Sequence, residues 1–340
     1  MDYTKGYRAI FYATEFDPVT WTDSSAGRIE LLSGSINRTN SELRNSASLT
    51  LKNYDNALDK WIRIYMISEQ LGEQKRVPLF TGLATSPSDS YTGSVANVSM
   101  QCYSVLRPVE DIALEHGWYV RKNYNGVKAI EELLSATYAP VVKTEESVAA
   151  LDDYIVAEDQ ETNLSMIEKI LYAIDWVMKI AGDGTIILSP APVLGYTDPV
   201  LTMSPTVNDI VEKTFSIEHD WFECPNALRV TYNELTAVAK DEDPDSPLSI
   251  QNRGREIWAT ESSPALGTDE TLGEYTNNRL KELQEMSETA SYERRFMPDV
   301  YTDDVVRLGY PNLNGDFIVE SQTINLGHAA TTSETVKRSI

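Results

Sequence analysis

The chain has 340 residues, 41% of them hydrophobic, with two cysteines and a formal net charge of −23. That apolar content excludes a disordered chain and suffices for more than one core. So acidic a composition excludes general nucleic-acid binding, which needs cations to displace the counterions along phosphates. Met1–Lys5 carry no basic segment followed by an apolar run, and no apolar stretch approaches the ~20 residues that cross a bilayer. The sequence therefore predicts neither a secretory signal nor membrane insertion.

Residues 7 to 55 read as strands. Tyr7–Tyr12 is β-rich, and Arg28–Leu32 follows a turn at Asp23–Gly27. Ser33-Gly34 reads as the next turn, with Ser35–Thr39 leading out of it. Ser46–Leu51 alternates small polar with apolar residues, as a half-buried strand does. Trp61–Met66 alternates too, with Trp61, Arg63 and Tyr65 on one face and Ile62, Ile64 and Met66 on the other. Leu79–Leu83 opens a further strand-rich tract that Val95–Leu106 continues. So many strands and turns predict a small barrel over 1–107.

The period changes after Pro108. Val127, Ile130, Leu133 and Leu134 stand at helical spacing, and a stronger helix opens at Thr162, with Leu164, Ile167, Ile170, Leu171 and Ile174 as its stripe. Trp176–Ile180, the turn Gly182-Asp183-Gly184 and Thr185–Leu188 predict a hairpin, because Asp-Gly suits a turn that needs positive φ. An α+β module over 108–212 follows from these elements. Phe215–His219 and Ala227–Tyr232 restore the strand pattern and place a second barrel over 213–234 and 291–340. It is interrupted over 235–290 by a polar loop at Lys240–Leu248 and a helix that opens on the capping box Thr271-Leu272-Gly273-Glu274. Leu272, Tyr275, Leu280, Leu283 and Met286 carry that helix to about residue 288. Asp304–Leu308, a turn at Asn314-Gly315 and Asp316–Ser321 form the last hairpin. The fold class is α+β, mainly β: two related small β-barrel modules with an inserted α+β module and a helical insertion. Leu79–Leu106 and Asp304–Ser321 are expected at equivalent places in the two barrels.

Little here resembles catalytic machinery. His116, His219 and His328 lie more than a hundred residues apart. Glu218-His219-Asp220 is the one cluster, and strand alternation points His219 away from its acidic neighbours. Asp241–Asp245 opens like a calcium loop, but Ser246 stands where glycine is needed and Asn252 where the closing acid belongs. Glu131-Glu132 and Glu145-Glu146 are adjacent pairs with no cleft to span. Gly182-Asp183-Gly184 is a turn rather than a phosphate cradle, since no helix start follows it. Cys102 and Cys224 share no CxxC spacing, and Cys102 reads as a small buried hydrophobe. Tyr91, Trp118, Tyr119, Tyr124 and Tyr138 are scattered and define no groove. No catalytic, cofactor-binding or metal site is expected, no cofactor, and no enzymatic activity.

Trp61–Tyr65 followed by Pro78–Ala84 resembles the first barrel of the baseplate hub proteins of bacteriophage tails, both the late-control-type hubs of contractile tails and the hub segments of non-contractile tail-tip proteins. The Thr162 helix leading into Trp176 and Asp183–Ile186 is similar to their middle module, and Val305–Leu308 followed by Leu313–Ser321 to their final hairpin. The likeness runs over nearly the whole chain and lies in pattern, not in an invariant signature. It implies a homotrimer whose two barrels per subunit alternate around an axis, giving six quasi-equivalent modules. Such a ring docks on a six-fold tail tube or distal tail protein ring and carries a three-fold spike or fibre at its far side; a tape measure protein is a further candidate partner. DNA would pass through the lumen without specific binding, along a wall to which the resemblance assigns the acidic charge, an assignment that a neutral lining would overturn. The implied location is the virion, in the tail baseplate or tail tip, after assembly in the host bacterial cytoplasm. Because the chain ends at Ile340, just past the last barrel, any spike, lysin or receptor binder is expected as a separate polypeptide. Two other readings compete: a carbohydrate- or cell-surface-binding tail-tip protein without catalysis, and a peptidoglycan hydrolase.

Overall fold

Alternation of apolar with short polar residues places every second side chain on one side of a sheet. In the N-terminal third it yields β1 (Arg8–Asp17), β2 (Thr22–Asp23), β3 (Ile29–Thr39), β4 (Asn45–Lys52), β5 (Trp61–Gln70), β6 (Glu73–Ala84), β7 (Ser88–Thr92) and β8 (Val95–Ser104). The computed structural model describes all residues except 26, 42, 55–59, 86, 93–94, 147–148, 209, 220–221, 233–234, 263–270, 285–286, 328–329 and 340. Six strands close into a barrel in the order β1-β3-β4-β8-β6-β5, because Tyr12 and Ala13 of β1 pair with Glu30 and Ile29 of β3. Ala47, Leu49 and Leu51 of β4, Ile62, Ile64 and Met66 of β5, Phe80 of β6, and Met100 and Cys102 of β8 fill it. Burial pushes the Cys102 thiol up to about 12, so this cysteine is an inert apolar filler.

Two glycines shape the barrel wall. From Gly82 strand β6 pairs with β8 while still paired with β5, and a Cβ there would collide with the Tyr103 carbonyl and the Phe80 ring. Ser33-Gly34, expected as a turn, lies inside β3. The β3–β4 ladder slips between Leu31 and Ser33, and Gly34 passes beneath the Ser48 carbonyl, so the pair makes a bulge that bends one continuous strand.

Beyond α1 (Arg107–Glu110) come β9 (Tyr119–Val120), α2 (Gly126–Leu134), β10 (Val141–Lys143), β11 (Ile155–Val156), α3 (Asn163–Ala173), β12 (Trp176–Ile180) and β13 (Ile186–Pro190). The Asn125 side chain caps α2, and Thr162 with Ser165 forms a reciprocal capping box on α3. The two helices lay Ile130, Leu134, Ile167 and Ile170 against Trp176, Met178 and Leu188 of the sheet β10-β13-β12. Gly182-Asp183-Gly184 turns β12 into β13, as its sequence predicts, and the turn is pressed onto the first barrel. A Cβ on Gly182 would strike the Pro78 carbonyl, and Gly184, at φ +83°, lies against Trp21, Thr81 and Val105. Thr81 donates to the Gly182 carbonyl (3.1 Å). Arg63 donates to Thr81 (2.8 Å) and to the Asp183 carbonyl (2.8 Å), with its guanidinium 3.8 Å from the Phe16 ring centroid. Both faces of β5 are thereby buried, one in the barrel and one beneath this turn.

The last part of the chain holds β14 (Leu201–Met203), β15 (Val211–His219), β16 (Ala227–Tyr232), β17 (Leu235–Lys240), α4 (Ile250–Arg253), β18 (Trp258–Ser262), α5 (Leu272–Gln284), β19 (Ser287–Arg295), β20 (Val305–Tyr310), β21 (Leu313–Asn325) and β22 (Thr331–Ser339). Strands β14-β20-β21-β22-β19-β15 curl around a second core of Met203, Tyr292, Val306, Leu308, Phe317, Val319 and Val336. Strand β16, expected in this barrel, pairs antiparallel with β17 and parallel with β18 in a separate sheet that α5 covers. A period of two marks a strand but not the sheet it joins. Helix α5 ends at Gln284, short of residue 288, because Glu288, Ala290, Tyr292 and Arg294 point inward from β19; Met286 lies outside the described residues. The last hairpin turns at Pro311-Asn312, and Asn314-Gly315 continue into β21. Proline fixes φ of the first turn residue, and Asn312 accepts φ +68° at the second. No helix among the described residues is long and apolar enough to cross a membrane.

Candidate assembly face

The two β regions are one sheet. Strands β3 and β21 pair from Ser321 opposite Thr39 to Asn325 opposite Ser35. Beneath this seam Arg294 and Glu334, both 0% exposed, form an ion pair at 2.5 Å. Tyr292 (2.6 Å) and Gln322 (2.7 Å) also donate to Glu334. Arg38 reaches the Val300 and Leu79 carbonyls at 3.2 and 3.3 Å and stacks over Tyr301. Burial alone would raise the Glu334 carboxyl, but Arg294, Tyr292 and Gln322 hold it below the ordinary carboxylate range. Burial lowers the Arg38 guanidinium, and Tyr301, Asp304 and Glu334 offset only part of that. The cluster is packed on all sides. Its chemistry is that of a lock between the two halves.

The opposite face of the same sheet is a field of hydroxyl and amide groups. Ser333, Thr323, Asn37 and Ser46 stand side by side on successive strands. Thr331, Asn325, Ser35, Ser48 and Gln101 form the next row, and Ser291, Thr335, Ser321 and Thr39 the row on the other side. Thr50, Ser99 and Ser88 extend the field across β4, β8 and β7. Neighbours bond to one another: Thr323 donates to Asn37 (3.0 Å), Gln101 to Ser48 (3.0 Å), and Ser291 meets Thr335 at 3.2 Å. Lys52 is paired with Glu30 at 2.9 Å, and Glu218 and Glu293 share the face with Lys337 and Arg295. Carboxylates and cations are thus balanced along this face, which is close to neutral.

This face runs across eight strands in the order β15-β19-β22-β21-β3-β4-β8-β7. The strand path ends at β15 on one margin, and β7 pairs with β8 alone on the other. An edge strand presents a row of unpaired amides and carbonyls. Within the sheet, β15-β19-β22-β21 repeats the layout β3-β4-β8-β6 in the same chain order, with β20 hydrogen-bonded to β21 as β5 is to β6. The matching hairpins are thus Trp61–Ala84 and Val305–Asn325. The expected match of Leu79–Leu106 with Asp304–Ser321 is off by one strand, because strand content does not determine which neighbours pair.

The residues weighed for chemistry are dispersed. Glu218 is exposed on β15, whose last residue, His219, lies opposite Glu288 of β19; Asp220 and His328 lie outside the described residues. His116 meets Asp159 at 2.6 Å in full exposure. Asp241 is engaged by Ser246 (2.6 Å) and Gln284 (2.9 Å), which fixes the 241–246 loop. Glu131 faces Lys143 at 3.4 Å, and Glu132 accepts from Tyr124 at 2.5 Å. Among the described residues no three His, Cys, Asp or Glu side chains converge as a metal site requires.

No protein-family profile matches the chain, and no curated protein matches its sequence. Solved structures match nearly all of it. A tail protein of Neisseria meningitidis MC58 is 15% identical, with a TM-score of 0.67 over 98% of this chain and 97% of that one. The 43 kDa tail protein of prophage MuSo2 from Shewanella oneidensis is 11% identical, with a TM-score of 0.66 over 96% and 98%. The E. coli c3393 protein, a component of the type VI secretion system, is 9% identical, with a TM-score of 0.53 over 91% and 73%. Identities this low speak for architecture alone, and that architecture is the one seen in phage tail proteins.

Proposed function

We propose that this chain is the structural hub of a phage tail baseplate or tail tip, three copies of which close into a ring around the DNA path. The ring adapts a six-fold tail tube to a three-fold spike or fibre, and the role is one of assembly without catalysis. One observation carries the reading: a single eight-strand sheet, built from two like halves, with an edge at each margin that pairs with no further strand among the described residues, and a neutral polar face between. Edge β15 of one copy would pair with edge β7 of the next, which leaves no free edge in the closed ring.

The stagger of the ladder fits such closure. Thr331, the first residue of β22, lines up through Asn325, Ser35 and Ser48 with Gln101, six residues past the start of the corresponding strand β8. Six residues of rise (~20 Å) against four strand spacings (~19 Å) give a tilt of about 45°, close to the range of closed barrels. The neutral face would then line the lumen, in place of the acidic wall expected, and its few cations are offset by carboxylates of the same face.

The second reading, surface binding to carbohydrate, has one observation on its side: the exposed rings of Tyr119 and Tyr154 lie 5.8 Å apart. Native mass measurement separates the two. A trimer, or a monomer that joins a ring on adding tail-tube protein, supports the hub. A strict monomer retained on a polysaccharide column supports the second reading, and loss of that retention in Tyr119→Ala would place it on this pair.

A further inference from the structure

We propose that the cavity beside Asp303 receives a lysine side chain of a protein partner, with the ammonium seated on the Asp303 carboxylate and the stem along the cavity's apolar wall. The assignment holds whether or not three copies close into a ring.

The cavity, of about 590 Å³, lies where Asn40, strand β12, the 191–194 segment and strands β21 and β22 meet. Val177, Ala191, Pro192, Leu194 and Ile318 give it an apolar wall, and Asp303, 6% exposed, is part of its lining. Pockets of this kind hold a ligand through apolar contact and orient it through a few fixed polar groups. Here the polar group is held in a strained place. Asp303 takes φ +60°, pinned by its amide on the Val319 carbonyl (2.8 Å) and by the Val319 amide on the Asp304 carbonyl (2.9 Å). So sparsely populated a backbone region persists only where the surroundings over-determine it. The Asn40 side chain bonds to the carboxylate, yet one of the carboxylate oxygens meets no donor. A buried oxygen left this way is costly, and a ligand that donates to it recovers the cost.

The surrounding charges single out a cation with one head. Arg44 and Lys179 both act on Asp303, but each has its own partner. Arg44 donates to both oxygens of Glu168 (2.7 and 2.6 Å), and Lys179 pairs with Asp304 at 2.5 Å. The charge of Asp303 is therefore the surplus. Glu320, the exposed Lys337 and Arg338 also line the cavity, and Arg338 is paired with Glu288. An arginine fork asks for both oxygens of a carboxylate, and only one is free here. A free polyamine would bring further ammonium groups towards Lys337 and Arg338. A lysine within a chain carries one compact ammonium on a flexible aliphatic stem, and such stems bury readily along apolar side chains.

The test measures binding of small probes to the full-length protein at pH 7.5, above the value of about 6 to which burial pushes the Asp303 carboxyl. Nα-acetyl-lysine methylamide, its arginine and norleucine counterparts, and spermidine are titrated in turn and followed by ligand-observed NMR. The lysine probe should bind at least about tenfold more tightly than the arginine and norleucine probes. Asp303→Asn, which keeps the size of the side chain and accepts positive φ, should abolish that preference. Ala191→Leu, which fills the cavity and keeps the carboxylate, should weaken the lysine probe as strongly. Asp159→Asn removes an exposed carboxylate elsewhere and should change nothing. No binding, equal binding of the lysine and norleucine probes, or a lysine preference that survives both cavity variants overturns the site. Spermidine bound more tightly than the lysine probe, and lost in Asp303→Asn, would overturn the lysine assignment and make the occupant a free polyamine.

Discussion

Asp303 sits where the 40–44 turn, the β12 region and the second barrel meet, 6% exposed and at φ +60°. It borders a cavity of about 590 Å³ with Asn40, Val177, Val193 and Lys337. One of its carboxylate oxygens has no hydrogen-bond partner. Burial raises its pKa to about 6; Arg44, Lys179 and Asn40 pull it down, and Asp304 pushes it further up. A carboxyl raised in the folded state costs nothing below its unfolded pKa. The cost grows as pH climbs towards 6 and is fully present above it, where it amounts to about 2–3 kcal/mol. Asp303→Asn, which asparagine's tolerance of positive φ permits, should therefore raise the urea midpoint at pH 7.5 and leave it nearly unchanged at pH 4. Equal shifts at both pH values would show that burial of charge is not the cause. Glu334→Gln should act oppositely, because it leaves Arg294 charged and unpaired under the seam. A loss of about 3–5 kcal/mol is expected in the same measurement, recovered in large part by adding Arg294→Met.

At the scale of elements, the β12–β13 turn is both a local structure and a clamp. Gly182→Ala drives a methyl into the Pro78 backbone. It should cost about 1–3 kcal/mol and speed hydrogen exchange in β6 as much as in β12 and β13. Faster exchange confined to β12 and β13 would mean that the turn does not grip the barrel. The turn itself was legible in Gly182-Asp183-Gly184, and so were the caps at Thr162 and Thr271, because their side chains act within three residues. What they dock against was not. The partners of Arg63, Asp303 and Glu334 stand far away in sequence, and no local pattern announces them. Strand β16 shows the same limit, since its pattern fits either sheet and pairing with β17 and β18 decides. Propensity favours Asn314-Gly315 as the turn, but Pro311-Asn312 forms it because the β20–β21 register sets Tyr310 against Leu313. The hydroxyl face was half visible. Ser46, Ser48 and Thr50 are plainly alternate, but only the seam joins them to Thr323 and Ser333.

For the whole molecule, the neutral face makes a specific expectation about DNA. The wild-type protein should not retain duplex DNA even at low salt, whereas Thr323→Lys with Ser333→Lys should confer retention that falls steeply as salt rises, with native mass unchanged. Wild-type retention at low salt would place a cationic surface elsewhere on the ring. The seam has a mechanical consequence as well. β3 also closes the first barrel through β1, and β21 also carries β20 of the second, so the ladder between them is held from both sides. The halves cannot swing about it as about a linker, because bending there would unzip main-chain bonds and expose the Arg294–Glu334 pair. Each chain would then enter the proposed ring as a stiff unit, and three such units would close at a single bore. In the proposed ring the channel wall is a constant of the assembly, and any gate has to be supplied by what the rims carry.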